Sequence, residues 1–331
     1  MKIVLDGMGG DNAPLATVEG AVQAVKEFDA RVIIVGIKDV LERELSRHGG
    51  HFPNIELHHA SEIIDMHEPA AASVRKKKDS SINVAVKLVR EGKAQAMVSA
   101  GNTGAVVCAA ALYLRLLKGL ERPGIAIVAP TLKGVSLIID VGANIDPKPI
   151  HLFQYGIMGD VYSRSILKKF NPTVGLLNIG QEASKGTDFI KKTYGLFAKS
   201  RLNFIGNVEG RDLFNGRCDV IVCDGFVGNV VLKVSESLAE SLNALLKREL
   251  GENFITRLGA LLSKSALRAM KREMDYTEYG GAPLLGVDGN CIICHGSSTP
   301  KAIKNAIRVA TEFVDHKVNQ HIVEVVSGSM V

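Results

Sequence analysis

Lys2-Ile-Val-Leu-Asp6-Gly-Met-Gly-Gly10-Asp11-Asn12-Ala-Pro14 reads as a strand running into a glycine-rich turn and then a helix. An apolar run of strand length ends in an acid. Three glycines fall within the next four residues, followed by a second acid, an amide and a proline. Such a first strand–helix turn lets backbone amides approach a ligand closely. It is not the dinucleotide fingerprint. Gly7 and Gly9 fit its first two positions, but the third falls on Asn12. A Walker lysine is also missing. The plain alternative is a tight turn with a cap at Asp11 or Asn12 and a proline in the first helical turn.

Working outward, short apolar runs alternate with helical patterns. Strands are predicted at 2–6, 31–36, 54–58, 95–99, 124–129, 135–140, 173–178, 203–206, 219–223 and 290–294. Helices are predicted at 13–28, 38–48, 80–91, 103–117, 150–169, 186–198, 228–249, 253–273 and 299–326. That alternation predicts an α/β fold with a mostly parallel sheet covered on both faces. In such sheets ligands bind beyond the carboxyl ends of the strands. Six predicted ends carry glycine with Asn, Asp, Ser or Thr: Ser99–Gly104, Asp140–Asp146, Asn178–Gly186, Gly206–Gly210, Asp224–Asn229 and His295–Ser298. Ordinary loops are also polar. Six together predict an amide-rich site for an anion and a carbonyl.

Composition narrows the function classes. The chain has 331 residues, enough for one large unit or two lobes around a cleft. A net charge of +5, no Trp and 5% aromatics argue against a nucleic-acid platform. Asp6 interrupts the first apolar run, so no signal peptide is expected, and no stretch approaches the ~20 apolar residues of a membrane span. Five cysteines suit a reducing cytoplasm better than a disulfide scaffold. Cys291-Ile-Ile-Cys294-His295 matches a haem-attachment pattern, yet it also reads as a buried strand in which Cys acts as a small hydrophobe. No paired motif for zinc accompanies it.

The ordered set of motifs resembles the bacterial phosphate acyltransferase family, also called fatty acyl-phosphate synthases. The matching pieces are Asp6–Pro14, Arg75–Ser81, Ser99–Gly104, Asp140–Asn144, Gly206–Glu209, Asp224–Asn229, Tyr279–Ala282 and His295–Ser298. The resemblance implies a three-layer α/β/α sandwich like that of isocitrate and isopropylmalate dehydrogenases and phosphotransacetylase. It implies a homodimer, without cofactor or metal, that moves a fatty acyl group from acyl carrier protein to inorganic phosphate. The acyl phosphate then serves glycerol-3-phosphate acyltransferase in phospholipid synthesis. The rival readings are an acyl-CoA-dependent phosphotransacetylase-like enzyme, a metal- and NAD-dependent dehydrogenase of the same fold, and a non-catalytic membrane or carrier-protein adaptor.

That reaction asks for positioning and oxyanion stabilisation, with no need of a covalent intermediate. Lys185, His295 and Asn229 are the expected catalytic residues. Lys185 is a candidate phosphate cation, though a solvent-exposed lysine is the commoner fate, and His295 could equally orient a neighbouring loop. Gly9, Asn12, Asn102, Thr103, Gly104, Asn144, Gly206, Asn207, Gly225, Gly296 and Ser297 are expected to bind phosphate or substrate. Asp140 and Asp224 are expected to bond loop amides. Arg75, Lys76 and Lys77 are candidates for docking an acidic carrier, as are Arg257, Lys264 and Arg268, though charge runs are usually solvated faces.

Residues 252–273 read as an amphipathic helix with Leu258, Leu261, Leu262, Ala266 and Ala269 on one stripe and Lys271 and Arg272 among its basic residues. It is expected either to touch an anionic membrane weakly or to pack on protein. With 228–249 it forms an expected helical hairpin over 228–273. The expected location is the cytoplasm, at the inner face of the membrane. The expected lobes place both termini in one and the middle of the chain in the other.

Overall fold

A computed structural model describes residues 1–28, 30–274 and 280–329, with backbone alone at 271–274 and 329. The first elements are β1 (Lys2–Asp6), α1 (Leu15–Glu27), β2 (Arg31–Gly36), α2 (Lys38–Ser46), β3 (Ile55–His59), α3 (Ala70–Lys76), α4 (Ser81–Arg90), β4 (Ala96–Ser99) and α5 (Thr103–Tyr113). Then come β5 (Gly124–Thr131), β6 (Gly134–Ile139), α6 (Pro149–Ser165), β7 (Val174–Leu177), α7 (Asp188–Ala198), β8 (Phe204–Val208) and β9 (Val220–Val222). The chain continues through α8 (Gly225–Gly251), α9 (Phe254–Leu262), α10 (Lys264–Met274), β10 (Ala282–Leu285), β11 (Asn290–Ile293), α11 (Pro300–Asp315) and α12 (Val318–Ser329).

Among the described residues, eleven strands form one sheet in the order β3-β2-β1-β4-β11-β10-β5-β6-β9-β7-β8. Two runs of parallel strands, β3 to β11 and β6 to β8, point in opposite directions. The antiparallel pairings of β10 and β5 join them. β10 divides its four residues, giving Ala282 and Pro283 to β11 and Leu284 and Leu285 to β5. Register therefore carries across the join. Leu5, Val98, Ile292 and Pro283 lie level through successive pairs, as do Ala126, Ile139, Val222 and Leu176. Pro283 and Ala126 stand one pair beyond the Leu284–Ile125 pairing. The carboxyl ends of both runs thus reach one line across the sheet from opposite sides.

Burial on both faces explains the apolar strands. In β11 the alternating period sends Cys291 and Ile293 into one core cluster and Ile292 into another, with Cys294 following on that second face. Helices α1 and α11 pack together over the first run, whereas α12 packs on α6 over the second.

Several predicted boundaries change. The predicted strand at 203–206 runs on to Val208, so Gly206 and Asn207 lie inside β8. Val174 pairs Phe204 and Leu176 pairs Asn207, which leaves one extra residue on β8. Gly206, at φ +92°, accommodates that bulge. The helix expected at 253–273 breaks at Ser263 into α9 and α10, and the one expected at 299–326 breaks at His316–Lys317, where Lys317 has φ +48°. β10 and α3 were not predicted. Tyr279 of the Tyr279–Ala282 motif lies outside the described residues.

Candidate active site

Two buried aspartates organise the line where the runs meet. Asp6 ends β1 and accepts from the Ser99 hydroxyl at 2.7 Å and the Met8 N–H at 3.2 Å. Burial pushes its carboxyl above the ordinary range, against the pull of those donors. Only glycine fits at position 9, because a Cβ there would stand 2.3 Å from the Asp6 carboxylate and 2.6 Å from the Gly101 nitrogen. Asp11 then donates its N–H to the Gly296 carbonyl at 2.8 Å, and Asn12 Nδ2 donates to the Ser297 carbonyl at 3.3 Å. The turns after β1 and β11 are thereby tied together.

Asp140 plays the matching part after β6. Its Oδ1 accepts from the N–H groups of Ile125, Gly142 and Ala143 at 3.0, 3.1 and 2.9 Å. Its Oδ2 accepts from the Asn144 N–H at 2.8 Å. Burial again pushes the carboxyl up while these donors oppose it. Asn144 Nδ2 donates to the Pro123 carbonyl at 2.6 Å and reaches the Tyr155 hydroxyl at 2.8 Å. In this state Asn144 is a brace of its turn. Asp224 caps α8 by accepting from the Val227 N–H at 2.9 Å. Asp140 bonds turn amides as expected, whereas Asp224 bonds an amide in the first turn of α8 instead of one in a loop.

The amino end of α5 is differently equipped. Asn102 is buried, caps the helix through the Ala105 N–H at 3.0 Å and donates toward the carbonyls of Asp65, Met66 and Glu68 at 3.2, 3.1 and 3.1 Å. Its own donors are thus committed. Thr103 is exposed, and its hydroxyl has no partner among the described residues. With the N–H groups of Thr103 and Gly104 it presents donors at a helix amino terminus. Met66 reaches Gly296, where a Cβ would meet its Cε at 2.8 Å, so this end adjoins the β11 turn.

α8 connects the two aspartate turns. Its first turn packs so closely on Asp140 and Asn144 that Gly225 and Gly228 have no room for a Cβ. Asn229, exposed, lies beside Gly142. One turn on, Lys233 places its ammonium 3.0 Å from His295 Nε2 and 2.8 Å from the Glu236 carboxylate. His295 Nδ1 lies 2.7 Å from the Ser297 hydroxyl. Positions 225, 229, 233 and 236 share one helical face, so this face spans the crevice.

The structure thus brings Gly9, Asn12, Asn102, Thr103, Gly104, His295, Gly296 and Ser297 together, and α8 links Asn144, Gly225 and Asn229 to them. Lys185, Gly206 and Asn207 stand farther along the sheet, on the β7 and β8 side. Lys185 is exposed, and its carbonyl accepts from Asn178 Nδ2 at 3.1 Å. Asn207 is buried and donates to the Glu182 carbonyl at 2.9 Å, with its Oδ1 unpaired. Lys233 and Glu236 were missed by sequence reasoning, although their spacing from Gly225 and Asn229 carries the signal.

The basic residues divide as well. Arg75 and Lys76 are exposed on α3, which packs against α5 where Ala70 meets Gly104. Lys77 pairs with Glu68, and this contact with help from Ser73 holds the Glu68 carboxyl down to about 2. Arg257 donates to the Gly251 carbonyl at 2.9 Å and so caps the end of α8. Lys264 and Arg268 are exposed on α10; the side chains of Lys271 and Arg272 lie outside the described residues.

The crevice is rich in donors, and the cysteines beside it are inert. Burial pushes the Cys291 and Cys294 thiols up to about 12, and they point to opposite faces of the sheet. Neither is a thiolate at neutral pH. Such a site can hold an oxyanion against an electrophilic carbonyl and stabilise the charge that develops there.

Comparison with known proteins agrees with that chemistry. A family model described as "Fatty acid synthesis protein" matches residues 1–321. The chain is 50% identical over 324 residues to a phosphate acyltransferase of Geotalea daltonii, covering 98% of this chain and 94% of the relative. Its fold is that of a phosphotransacetylase from Streptococcus pyogenes, with a TM-score of 0.61, 18% identity and coverage of 96% and 94%. A 4-hydroxythreonine-4-phosphate dehydrogenase from Klebsiella pneumoniae shares it too, with a TM-score of 0.54, 14% identity and coverage of 95% and 99%. An α/β/α chain whose donor-lined crevice suits acyl transfer to phosphate, and which matches such relatives along nearly its whole length, belongs to the phosphate acyltransferase family.

Proposed function

We propose that the acyl donor is a fatty acyl thioester of acyl carrier protein and the acceptor inorganic phosphate. The acyl phosphate formed is then consumed by glycerol-3-phosphate acyltransferase in phospholipid synthesis. The observation that carries this reading is the basic α3, with Arg75 and Lys76 exposed, standing against the amino end of α5 at the lip of the crevice. An acidic carrier docked there would deliver its thioester beside Thr103.

In this reading a phosphate oxygen attacks the thioester carbonyl carbon. The tetrahedral oxyanion is held by the Thr103 hydroxyl, the Gly104 N–H and the Asn229 amide. The carbon–sulfur bond breaks, and a thiolate of pKa ~8.5 leaves without obligatory protonation. His295 faces phosphate, with Gly9, Asn12, Gly296 and Ser297 shaping its turn. Lys185 and Asn207 mark where the substrate extends toward β7 and β8. Lobes drawn on the two parallel runs keep the amino-terminal strands in one but put the carboxyl-terminal α12 over the other, against α6, so the termini do not share a lobe; 228–273 forms a hairpin at their margin.

The deciding measurement is phosphate-dependent thiol release with acyl carrier protein and with acyl-CoA as donors. At least tenfold better use of the carrier, shrinking at high salt because exposed charge pairs are screened over about 10 Å at 0.1 M, is the expected result. Equal use of acyl-CoA would favour the phosphotransacetylase-like alternative. Carrier binding without turnover would mark an adaptor.

The apolar side of α8 supports a homodimer. Val230, Val234 and Leu238 are exposed at helical spacing along it, Val234 at 61%. α9 supports weak membrane contact. Phe254, Ile255, Leu258, Leu261 and Leu262 are all exposed within nine residues, Ile255 at 81%. No described helix is long and apolar enough to cross a membrane, so the contact would be interfacial. Leu261→Glu should abolish sedimentation with anionic vesicles and leave turnover of soluble acyl carrier protein intact. A dimer that falls apart in this variant would make α9 a packing face instead.

A further inference from the structure

We propose that Lys233, positioned by Glu236, is the cation that grips phosphate alongside His295. The assignment rests on the reading that phosphate is the acyl acceptor.

The argument begins with hydrogen-bond valence. A neutral imidazole has one donor and one acceptor nitrogen, and an ammonium has only donors. Lys233 brings donors to within 3.0 Å of His295 Nε2, while the Ser297 N–H points at Nδ1 from 3.2 Å. The ring can accept from only one of them. When Nδ1 accepts from Ser297, Nε2–H and the ammonium aim at the same space. An oxyanion placed there accepts from both. Glu236 takes one ammonium hydrogen at 2.8 Å and stands 3.9 Å from Nε2, so two hydrogens remain for the anion.

The surroundings fit that role. The Lys233 side chain is 52% exposed with its ammonium against His295, and the Glu236 side chain that steadies it is 17% exposed. Lys233 lies one turn beyond Asn229 on the polar face of α8. The exposed Val230 and Val234 lie roughly 60–100° round the helix from Lys233, on the neighbouring face. Lys185 lies across several strands from His295, whereas Lys233 touches it.

The test compares wild-type protein, Lys233→Met and Lys233→Arg, all as full chains. Lys233→Met removes the charge and keeps the stem, and the site is exposed enough for the protein to remain folded. Its phosphate KM should rise between about tenfold and a hundredfold, the range for one charge-assisted hydrogen bond, with the donor KM little changed. Lys233→Arg should recover most of the loss. Titration of inorganic phosphate without acyl donor should show the same weakening, independently of turnover. If Lys233→Met keeps the wild-type phosphate KM and phosphate affinity, the assignment falls while the acyl-transfer reading stands. If wild-type protein binds phosphate through Lys233 but releases no thiol, the site survives and the reaction reading fails.

Discussion

Gly228→Ala is expected to cost at least about a hundredfold in kcat while the protein still folds. A Cβ at this position would lie 1.9 Å from the Asp140 carbonyl oxygen, which is backbone and cannot swing aside. The start of α8 must then lift by more than an ångström. Overpacking of this kind costs about 1–3 kcal/mol of stability. The kinetic penalty is larger, because α8 carries Asn229 at one end of the crevice and Lys233 at the other. A displacement of about 1 Å at a reacting group is worth roughly a hundredfold in rate. The measurement is phosphate-dependent thiol release together with a thermal melt. Near-normal turnover would show that the register of α8 against Asp140 does not position the reaction.

Asp140→Asn should be the more damaging change for stability. The carboxylate accepts three backbone N–H groups through Oδ1 and, through Oδ2, the backbone N–H of Asn144 and its side-chain Nδ2 at 3.3 Å. An amide retains one oxygen, so its NH2 must face a backbone donor. One buried N–H loses its acceptor, at about 1–3 kcal/mol, and donor–donor repulsion adds to it. We expect a loss of about 2–4 kcal/mol in urea unfolding on those terms. An unchanged midpoint would mean that the turn is held by the Asn144 and Gly225 contacts alone.

Much of this fold is legible in strand-length apolar runs, because both faces of the sheet are covered and little polar residue interrupts them. β10 escapes that logic. It has four residues, contains Pro283 and sits between glycines, so nothing local distinguishes it from a loop. Its position between two runs, not its sequence, makes it a strand. The reversal of strand direction follows from that pairing and was equally hidden. The glycine-rich ends were legible as a group, yet their individual duties were not. Asn102 and Asn144 looked like ligand donors, and in the folded chain their amides brace carbonyls of neighbouring turns. Lys233 looked like one more charged residue on a long helix. Only the approach of the His295 turn gives it a partner, and that approach spans 62 residues of chain.

The place of β11 has a consequence for synthesis. It lies between β4 and β10, although the chain makes β4 early and β11 near its end. Roughly 190 residues must emerge in between, which takes about 10–40 s at 5–20 residues per second. Throughout that interval the apolar edge Ala96-Met97-Val98-Ser99 has no neighbour on one side. An unpaired flat edge of this kind invites pairing with another nascent chain. The first run of strands therefore closes only once β11 has been made, and a ribosome stalled in β9 would leave a chain competent to aggregate.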